Sequence, residues 1–291
     1  DGDGKCDKRT KLYGEFDYSR DTHGMNNAFR RGFDGWLYAC HGFNNHSQVT
    51  ARDGSSVDML SGNTYRFRVD GERIEHFTWG QVNPFGMTFD RFGDLYNSDC
   101  HTVPITLLLR GSYNESFGKP HDGLGFCPPV MTHSHGSTAI AGVTQYTGDA
   151  FPAEYRDSLF VGNVMSSRVH RDVLKYDGST VSVVEQPDFL TCDDPWFRPV
   201  DIQCGPDGAL YIADFYNRII GHYEVKLDHP GRDRSRARIW RVSYIGKSEP
   251  EPHQPVDLTK ASVADLINEF DHPNLPQRMR ATDEISDRIG E

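Results

Sequence analysis

The stretch "RPVDIQCGPDGALYIADFYN", residues Arg198 to Asn217, has a Pro-Asp-Gly turn between two apolar segments. Turn residues between short apolar runs predict an antiparallel hairpin. The same order of turn, Leu-aromatic pair and small polar residues recurs in "FDGWLYACHG", "RFGDLYNSDCH" and "YRDSLFVGNV". The leucines of the four copies are Leu37, Leu95, Leu159 and Leu210. Copies about 50 to 65 residues apart, each with several short strands, favour a β-propeller over a β-sandwich with unrelated hairpins.

We therefore predict a mainly β fold that divides into three regions. Residues 1–245 form a β-propeller, six-bladed in the full protein, of which about four to five blades lie in this chain. Residues 246–257 are a Pro-rich linker. Residues 258–291 contain two amphipathic helical segments, which we interpret as the start of an α-helical region of HEAT-like repeats.

Composition limits the classes of partner and compartment. The 291 residues carry a net charge of −11, which argues against a nucleic acid as partner. No apolar run approaches the roughly 18 residues of a membrane span, so we expect no membrane insertion. The abrupt ends suggest a piece of a longer protein. None of the six cysteines forms a C-x-x-C pair, and free thiols and disulfides are equally expected.

The repeat predicts which polar residues meet. In a propeller blade, the residues just before the first strand and just after the second lie at the same rim, so we expect one rim to gather the polar residues of all copies. To this set we add Asp201, which lies within a predicted first strand. The candidate residues are then His41, Asn83, Asp99, His101, His133, His135, Asn163, Arg198, Asp201, Asp214 and Asn217. Two structural alternatives stay open: Asp214 satisfies backbone groups of a turn, or Arg198 pairs with Asp201.

A second candidate site lies at the start of the chain. "DGDGKCD" is similar to the middle of a calcium loop, in which Asp1, Asp3 and Asp7 would supply carboxylates and Lys5 a backbone carbonyl. Thr10 stands where such loops carry an acidic final ligand. The alternative is an acidic turn without an ion.

Several long motifs resemble one family. "GWLYACHGFNNHS", "WGQVNPFGMTFD", "SFGKPHDGLGF", "HSHGSTAIAG", "DDPWFRPVDIQCGPDGALYIADFYNRIIGHYEV" and "HPGRDRSRARIWRV" are similar to the membrane-bound dehydrogenase domain of planctomycete and verrucomicrobial proteins. The resemblance implies a propeller like that of glucose/sorbosone dehydrogenases, followed by HEAT-like repeats and a C-x-x-C-H cytochrome c domain. Dehydrogenases of that kind use pyrroloquinoline quinone and calcium.

The resemblance also implies roles for the rim residues. His135 or His41 would abstract a hydroxyl proton, and Arg198 would hold an anionic quinone or a substrate carboxylate. Asp99, Asp201 or Asp214 would orient the base or bind calcium. The predicted catalytic residues are His135, His41, Arg198 and Asp201. The predicted cofactor-binding residues are Asn83, Asp99, His101, His133, Asn163, Asp214 and Asn217. Calcium would bind Asp1, Asp3, Lys5 and Asp7.

Three functions follow from these expectations. The first is an exported oxidoreductase, periplasmic or at the cell surface, that oxidises a sugar or polyol and passes electrons to a haem c domain outside this chain. The second is a carbohydrate-binding propeller in which Trp36, Trp79 or Trp196 stacks on a sugar ring. The third is a protein-interaction scaffold. A bound redox cofactor distinguishes the first from the other two.

Overall fold

The computed structural model describes residues 5–22, 25–101, 104–114, 127–131, 133–221, 225–246, 254 and 256–289. This part of the chain is mainly β, as predicted, with eighteen strands and two α-helices. The strands are β1 Asn27–Arg31, β2 Leu37–His41, β3 His46–Thr50, β4 Ser56–Leu60, β5 Asn63–Phe67, β6 Ile74–Gly80, β7 Pro84–Phe89, β8 Leu95–Asp99, β9 Ile105–Leu108, β10 Tyr113–Asn114, β11 Ile140–Gln145, β12 Ser158–Asn163, β13 Arg168–Asp177, β14 Thr180–Glu185, β15 Leu190–Thr191, β16 Pro199–Cys204, β17 Leu210–Asp214 and β18 Arg238–Val242. The helices are α1 Val263–Asn268 and α2 Leu275–Ile289.

Four antiparallel sheets follow one another along the sequence. The first sheet has the order β1-β2-β5-β6, with β10 added parallel to β6. The second is β7-β8-β9, the third is β11-β12-β13-β14 with β15 beside β13, and the fourth is β16-β17-β18. The hairpin β3-β4 forms a separate two-stranded sheet that packs on the first sheet. The four repeated leucines lie in the second strands of the four sheets, so the repeat in the sequence corresponds to the repeat of sheets.

The core lies between neighbouring sheets. Tyr38 and Cys40 of the first sheet pack with Met87 and Leu95 of the second. A second cluster joins the second sheet to the third, and a third cluster joins the third sheet to the fourth. Because each sheet buries one face against the preceding sheet and the other against the next, both faces of the inner sheets are apolar.

Glycines allow the first strands of successive sheets to approach closely. β7 lies against β1, β11 against β7, and β16 against β11. A Cβ atom on Gly86 would lie 2.7 Å from the Cα atom of Gly142, and one on Gly142 would lie 2.5 Å from the Cα atom of Asp201. No side chain fits at either position without a shift of the backbone.

The strand register shows how the first two strands of three sheets are aligned. Pro84 lies opposite Asp99, Ile140 opposite Asn163, and Pro199 opposite Asp214. The start of each of these first strands therefore lies beside the end of its second strand. Each of the three pairs of strands also has an irregularity of register directly after this point. Such bulges bend the strand and are common next to functional sites.

The C-terminal segment folds as two helices, at about the predicted positions. Ser262 begins α1 with a capping box, because its hydroxyl accepts from the backbone N–H of Asp265 and the Asp265 carboxylate accepts from that of Ser262. Leu258, Leu266 and Ala281 form a small core of their own. Within the described ranges, no helix has the length and apolar character needed to cross a bilayer.

The longer helix is tethered to the first sheet by Arg31. Its Nη2 atom lies 2.7 Å from Oδ1 of Asp287, and its Nε atom lies 3.0 Å from Oδ1 of Asp283. We expect Arg31→Met to weaken this attachment by about 1 kcal/mol, since partly buried pairs are stronger than exposed ones. Amide hydrogen exchange in α2 should then be about fivefold faster. Lys260→Met, which breaks an exposed pair with Asp257, should leave the exchange unchanged; equal rates in Arg31→Met and the parent protein would contradict the tether.

Candidate functional site

Three of the predicted rim residues satisfy backbone groups. The Asp99 carboxylate accepts from the N–H groups of Val82, at 2.8 Å, and His101, at 2.9 Å. Asp214 accepts in the same way from Arg198 and Tyr216, each at 2.8 Å. Asn163 accepts from Met165 and Ser166, each at 3.0 Å. These side chains are buried and hold loops at the ends of the first and second strands.

Arg198 is also engaged with the backbone. Its guanidinium donates to the carbonyl oxygens of Asn217, Val164 and Arg218. Burial lowers the pKa of this guanidinium. The alternative that Arg198 pairs with Asp201 is wrong, because Asp201 pairs with Arg30 instead. Arg198 therefore joins the third sheet to the loop after β17.

The remaining rim residues lie in separate surroundings. His41 is buried, and its ring nitrogens contact the Ser61 carbonyl and the Ser47 hydroxyl, both at 2.8 Å. Burial lowers the pKa of His41. The amide of Asn83 donates to the sulfur of Cys100, and that of Asn217 to the carbonyl of Asp233. The structure thus does not bring these residues into one cluster.

One ion pair links the first strand of the first sheet to the first strand of the fourth sheet. Nη2 of Arg30, on β1, lies 2.9 Å from Oδ1 of Asp201, on β16. The Arg30 side chain is 20% exposed and that of Asp201 is 40% exposed. Gln203 donates to the other oxygen of Asp201, at 3.0 Å. We call the space around Arg30, Asp201 and Gln203 the central channel, after the channel that the predicted propeller would have at its first strands.

A cluster of histidines and carboxylates lies at the third sheet. Nε2 of His135 is 2.8 Å from Oδ2 of Asp172, and Nδ1 is 3.1 Å from Oε1 of Glu185. Nε2 of His133 is 3.1 Å from Oδ1 of Asp172. Beside them, the His170 ring stacks on that of His135 with a centroid distance of 4.1 Å. We call His133, His135, His170, Asp172 and Glu185 the histidine cluster.

Charge and burial act against each other in this cluster. Burial lowers the pKa of His135, but the hydrogen bonds and negative charges of Asp172 and Glu185 outweigh it, so that the pKa is raised. Burial and the neighbouring His135 together lower the pKa of His170. The pKa values of the two stacked imidazoles are therefore shifted in opposite directions.

The sequence analysis named His133 and His135 but missed the carboxylates that they contact. Asp172 lies on β13 and Glu185 at the end of β14. A signal was present, since His170 and Asp172 alternate along β13 and share a face with the buried Leu174. Polar residues on the apolar face of a strand indicate a buried polar cluster.

The predicted calcium loop falls largely outside the described residues, because Asp1 and Asp3 are not among them. Lys5 and Asp7 are described and exposed. All six cysteines are free thiols. Burial raises the pKa of Cys40, Cys100 and Cys204 to about 12 in each case, so none of these three is a thiolate at neutral pH.

Solved structures of sugar dehydrogenases share this arrangement of sheets. A Thermus thermophilus protein assigned as an oxidoreductase (glucose dehydrogenase) is 20% identical, with a TM-score of 0.52 over 76% of this chain and 66% of that one. A glucose dehydrogenase is 20% identical, with a TM-score of 0.50 over 75% and 63%. The PQQ-bound form of the aldose sugar dehydrogenase of Streptomyces coelicolor is also 20% identical, with a TM-score of 0.50 over 75% and 62%.

These similarities concern the fold. The chain spans about three fifths to two thirds of the length of the matched structures. No curated protein sequence matches the chain significantly. The model of a domain of unknown function, DUF7133, matches residues 1–246. Because this match covers most of the chain, the protein belongs to the DUF7133 family, and its sheets have a fold similar to that of the β-propeller sugar dehydrogenases.

Proposed function

We propose that the chain is part of an exported oxidoreductase that oxidises a sugar or polyol in the central channel. The observation that carries the proposal is the Arg30–Asp201 pair, which presents a donor and an acceptor in a partly exposed space between the first strands. The other charged residues of the predicted rim, Asp99, Arg198 and Asp214, are used by the backbone. The similarity of fold to glucose and aldose sugar dehydrogenases supports the same substrate class.

The channel residues suit the chemistry of an alcohol. Oxidation to a carbonyl removes a hydride from the carbon and a proton from the hydroxyl group. Asp201, with an accessible carboxylate, accepts the hydrogen bond and then the proton of this hydroxyl. Arg30 and Gln203 fix the orientation of that carboxylate. We assign proton acceptance to Asp201 because both ring nitrogens of His41 and of His135 are already engaged.

A quinone cofactor of the pyrroloquinoline type would supply the hydride acceptor. An anionic quinone needs a cationic donor that faces a cavity. Arg30 meets this requirement, because its side chain is partly exposed beside the channel. Arg198 does not meet it, since its guanidinium donates to three backbone carbonyls. We therefore propose that Arg30, in place of Arg198, would hold the quinone.

Further parts of the proposal are supported by the resemblance of the motifs. They are export to the periplasm or cell surface, calcium binding near Lys5 and Asp7, and electron transfer to a haem c domain outside this chain. The HEAT-like nature of the C-terminal helices and the six blades of the full propeller belong to the same proposal. The partners are then a sugar or polyol and a cytochrome c domain.

The aromatic residues favour oxidation over simple sugar binding. The guanidinium of Arg66 lies 4.3 Å from the ring centroid of Trp36. Trp79 stacks on Tyr113 at 5.5 Å, and Trp196 packs on Tyr216 at the same distance. One face of each tryptophan is thus covered by a neighbouring side chain, which leaves less surface for stacking on a sugar ring.

Quinone retention and turnover test the proposed function. The full-length protein is incubated with calcium and pyrroloquinoline quinone, freed of excess quinone, and assayed for bound quinone by absorbance and for sugar oxidation with a dye acceptor. We expect Arg30→Met to lower quinone affinity at least tenfold. We expect Asp201→Asn to retain quinone and to lower kcat about 100-fold or more, as loss of a general base does.

Arg91→Met provides the control, because Arg91 forms an exposed pair with Asp157 and should affect neither readout. Thermal unfolding of each variant shows whether it is folded. Absence of bound quinone in the parent protein would overturn the proposed cofactor. Unchanged turnover in Asp201→Asn would overturn the role of Asp201.

A further inference from the structure

Three metal-ligating side chains of the histidine cluster converge outside the central channel. The ligand atoms of His133, His135 and Asp172 all lie within 4.8 Å of one another. The side chains of His135 and Asp172 have no exposed surface, whereas that of His133 is 23% exposed. The group is therefore enclosed by protein on one side and accessible from the side of His133.

The two carboxylate contacts of His135 require either a second ring proton or a metal ion. A neutral imidazole has one N–H group. His135 nevertheless faces a carboxylate oxygen at both nitrogens, Asp172 at 2.8 Å and Glu185 at 3.1 Å. Without a metal ion, both contacts are hydrogen bonds only if the fully buried ring is an imidazolium. With a metal ion at Nε2, a neutral His135 donates Nδ1–H to Glu185, which is the usual arrangement of a metal-bound histidine.

The buried carboxylate leads to the same conclusion. Asp172 is fully buried between two imidazoles, and a buried carboxylate is stable only when it is paired or bound to a metal. Asp172 and Glu185 together carry two negative charges when ionised. A divalent cation balances that charge with both histidines neutral.

The backbone is held in an unusual conformation at this position. His135 has a φ of 51°, in the left-handed region, and the next residue, Gly136, has a φ of 69°. A residue other than glycine in this region costs on the order of 1–3 kcal/mol and persists where its surroundings require it. This left-handed turn lies in the segment in which His133 and His135 are separated by one residue. Both imidazoles of this segment face the carboxylate of Asp172.

His170 gives an independent indication of a ligand. Its Nδ1 lies 2.6 Å from Oδ1 of Asp188, so that it too has a carboxylate on one nitrogen. Its Nε2 is buried and has no hydrogen-bond partner within the described part of the chain. The His170 ring is parallel to that of His135, with an angle of 2° between the planes. A third imidazole nitrogen is thus available in a ring that stacks on His135.

We propose that His133, His135 and Asp172 bind a divalent transition-metal ion of the Zn²⁺ type, with Glu185 as the residue that orients His135. Two imidazole nitrogens and one carboxylate suit Zn²⁺, whereas Ca²⁺ and Mg²⁺ prefer oxygen ligands. Metal bonds of about 2.0–2.2 Å separate neighbouring ligand atoms by about 3.3–3.6 Å in a tetrahedral site. The contacts of 2.8 Å and 3.1 Å to Asp172 then widen by a few tenths of an ångström.

The metal site stands apart from the proposed oxidation. Asp201 and Arg30 belong to the central channel, and none of the three ligands contacts them in the described structure. The ion would bind whether or not the protein oxidises a sugar. Its ligands would not act as proton acceptors, so the proposal gives His135 a different role from the one expected from the sequence.

Zn²⁺ titration of the full-length protein tests the site. After chelator treatment, the protein is titrated calorimetrically with ZnCl₂, and its thermal unfolding is measured with and without the ion. We expect one equivalent bound with a Kd in the micromolar range or tighter, and a higher Tm with the ion. His133→Ala should weaken binding about 100-fold and abolish the Tm shift, and Glu185→Gln should weaken binding about 10–100-fold.

Two controls keep the test decisive. His46→Ala removes an exposed imidazole that pairs with Asp58 and should leave the affinity unchanged. If His133→Ala does not fold, the visible spectrum of the Co²⁺-loaded parent protein decides, because tetrahedral Co²⁺ in the cluster absorbs more strongly than octahedral Co²⁺ on the surface. Lack of stoichiometric binding, equal affinity in a folded His133→Ala, or an octahedral Co²⁺ spectrum would overturn the proposal and leave His135 as the imidazolium of a buried ion pair.

Discussion

Replacing Gly142 with alanine is expected to lower the free energy of unfolding by about 2–3 kcal/mol, as overpacking of a well-packed interior does. The added Cβ would lie 2.5 Å from the Cα atom of Asp201, 2.6 Å from its Oδ1 and 3.0 Å from the carbonyl oxygen of Val200. Two of these three atoms belong to the backbone, so β11 and β16 have to move apart. In a domain of this size, we expect Tm to fall by about 4–10 °C.

Gly178→Ala is the matched control for this substitution. Gly178 has a φ of 61° in the turn between β13 and β14, and an added Cβ would meet no atom within 4 Å. This variant therefore has only the conformational penalty of alanine at positive φ, about 1 kcal/mol. A loss of stability at Gly142 no greater than at Gly178 would contradict the close packing of the first strands. A larger loss at Gly142 would show that those strands are pressed together around the channel.

Sequence reasoning succeeded where the determinants are local. The turn and Leu-aromatic pair at Leu95 or Leu210 predict a second strand because both features act within about ten residues. The dipeptides Asp70-Gly71 and Asp177-Gly178 are typical turn sequences, and each connects two paired antiparallel strands. The shared rim stays a prediction from the repeat, since the phase of each copy determines where its strands begin and end.

Sequence reasoning was incomplete where the partners are distant. Arg30 and Asp201 are separated by 171 residues, and His135 and Asp172 by 37. Such pairs depend on how the sheets pack and on how each loop turns. The repeat placed Asp99 and Asp214 at the rim but could not show that backbone N–H groups occupy their oxygens. That distinction matters for function, because a carboxylate used by the backbone has little capacity left for a cofactor.

Asp214→Ala should therefore destabilise the protein without any cofactor present. The Asp214 side chain is buried and accepts from the N–H groups of Arg198 and Tyr216 at 2.8 Å. Its other oxygen accepts from Nε1 of Trp240 at 3.0 Å. Alanine leaves these donors without a partner, and each unsatisfied buried group costs about 1–3 kcal/mol. Because the loop relaxes in part, we expect a total loss of about 3–4 kcal/mol and a Tm lower by about 6–12 °C.

Two further variants separate this structural role from the predicted cofactor role. Asp214→Asn keeps an oxygen for the two backbone N–H groups but turns an amide toward Trp240, so we expect a loss of about 1–2 kcal/mol. Asp53→Ala removes an exposed carboxylate that accepts from the N–H of Ser55, with an expected loss of about 0.5 kcal/mol. If the Tm of Asp214→Ala in the absence of quinone and calcium equals that of the parent protein, the backbone role is wrong. If the loss in free energy of unfolding instead increases from Asp53→Ala through Asp214→Asn to Asp214→Ala, this rim carboxylate stabilises the fold. The Arg30–Asp201 pair is then left as the charged group of the channel.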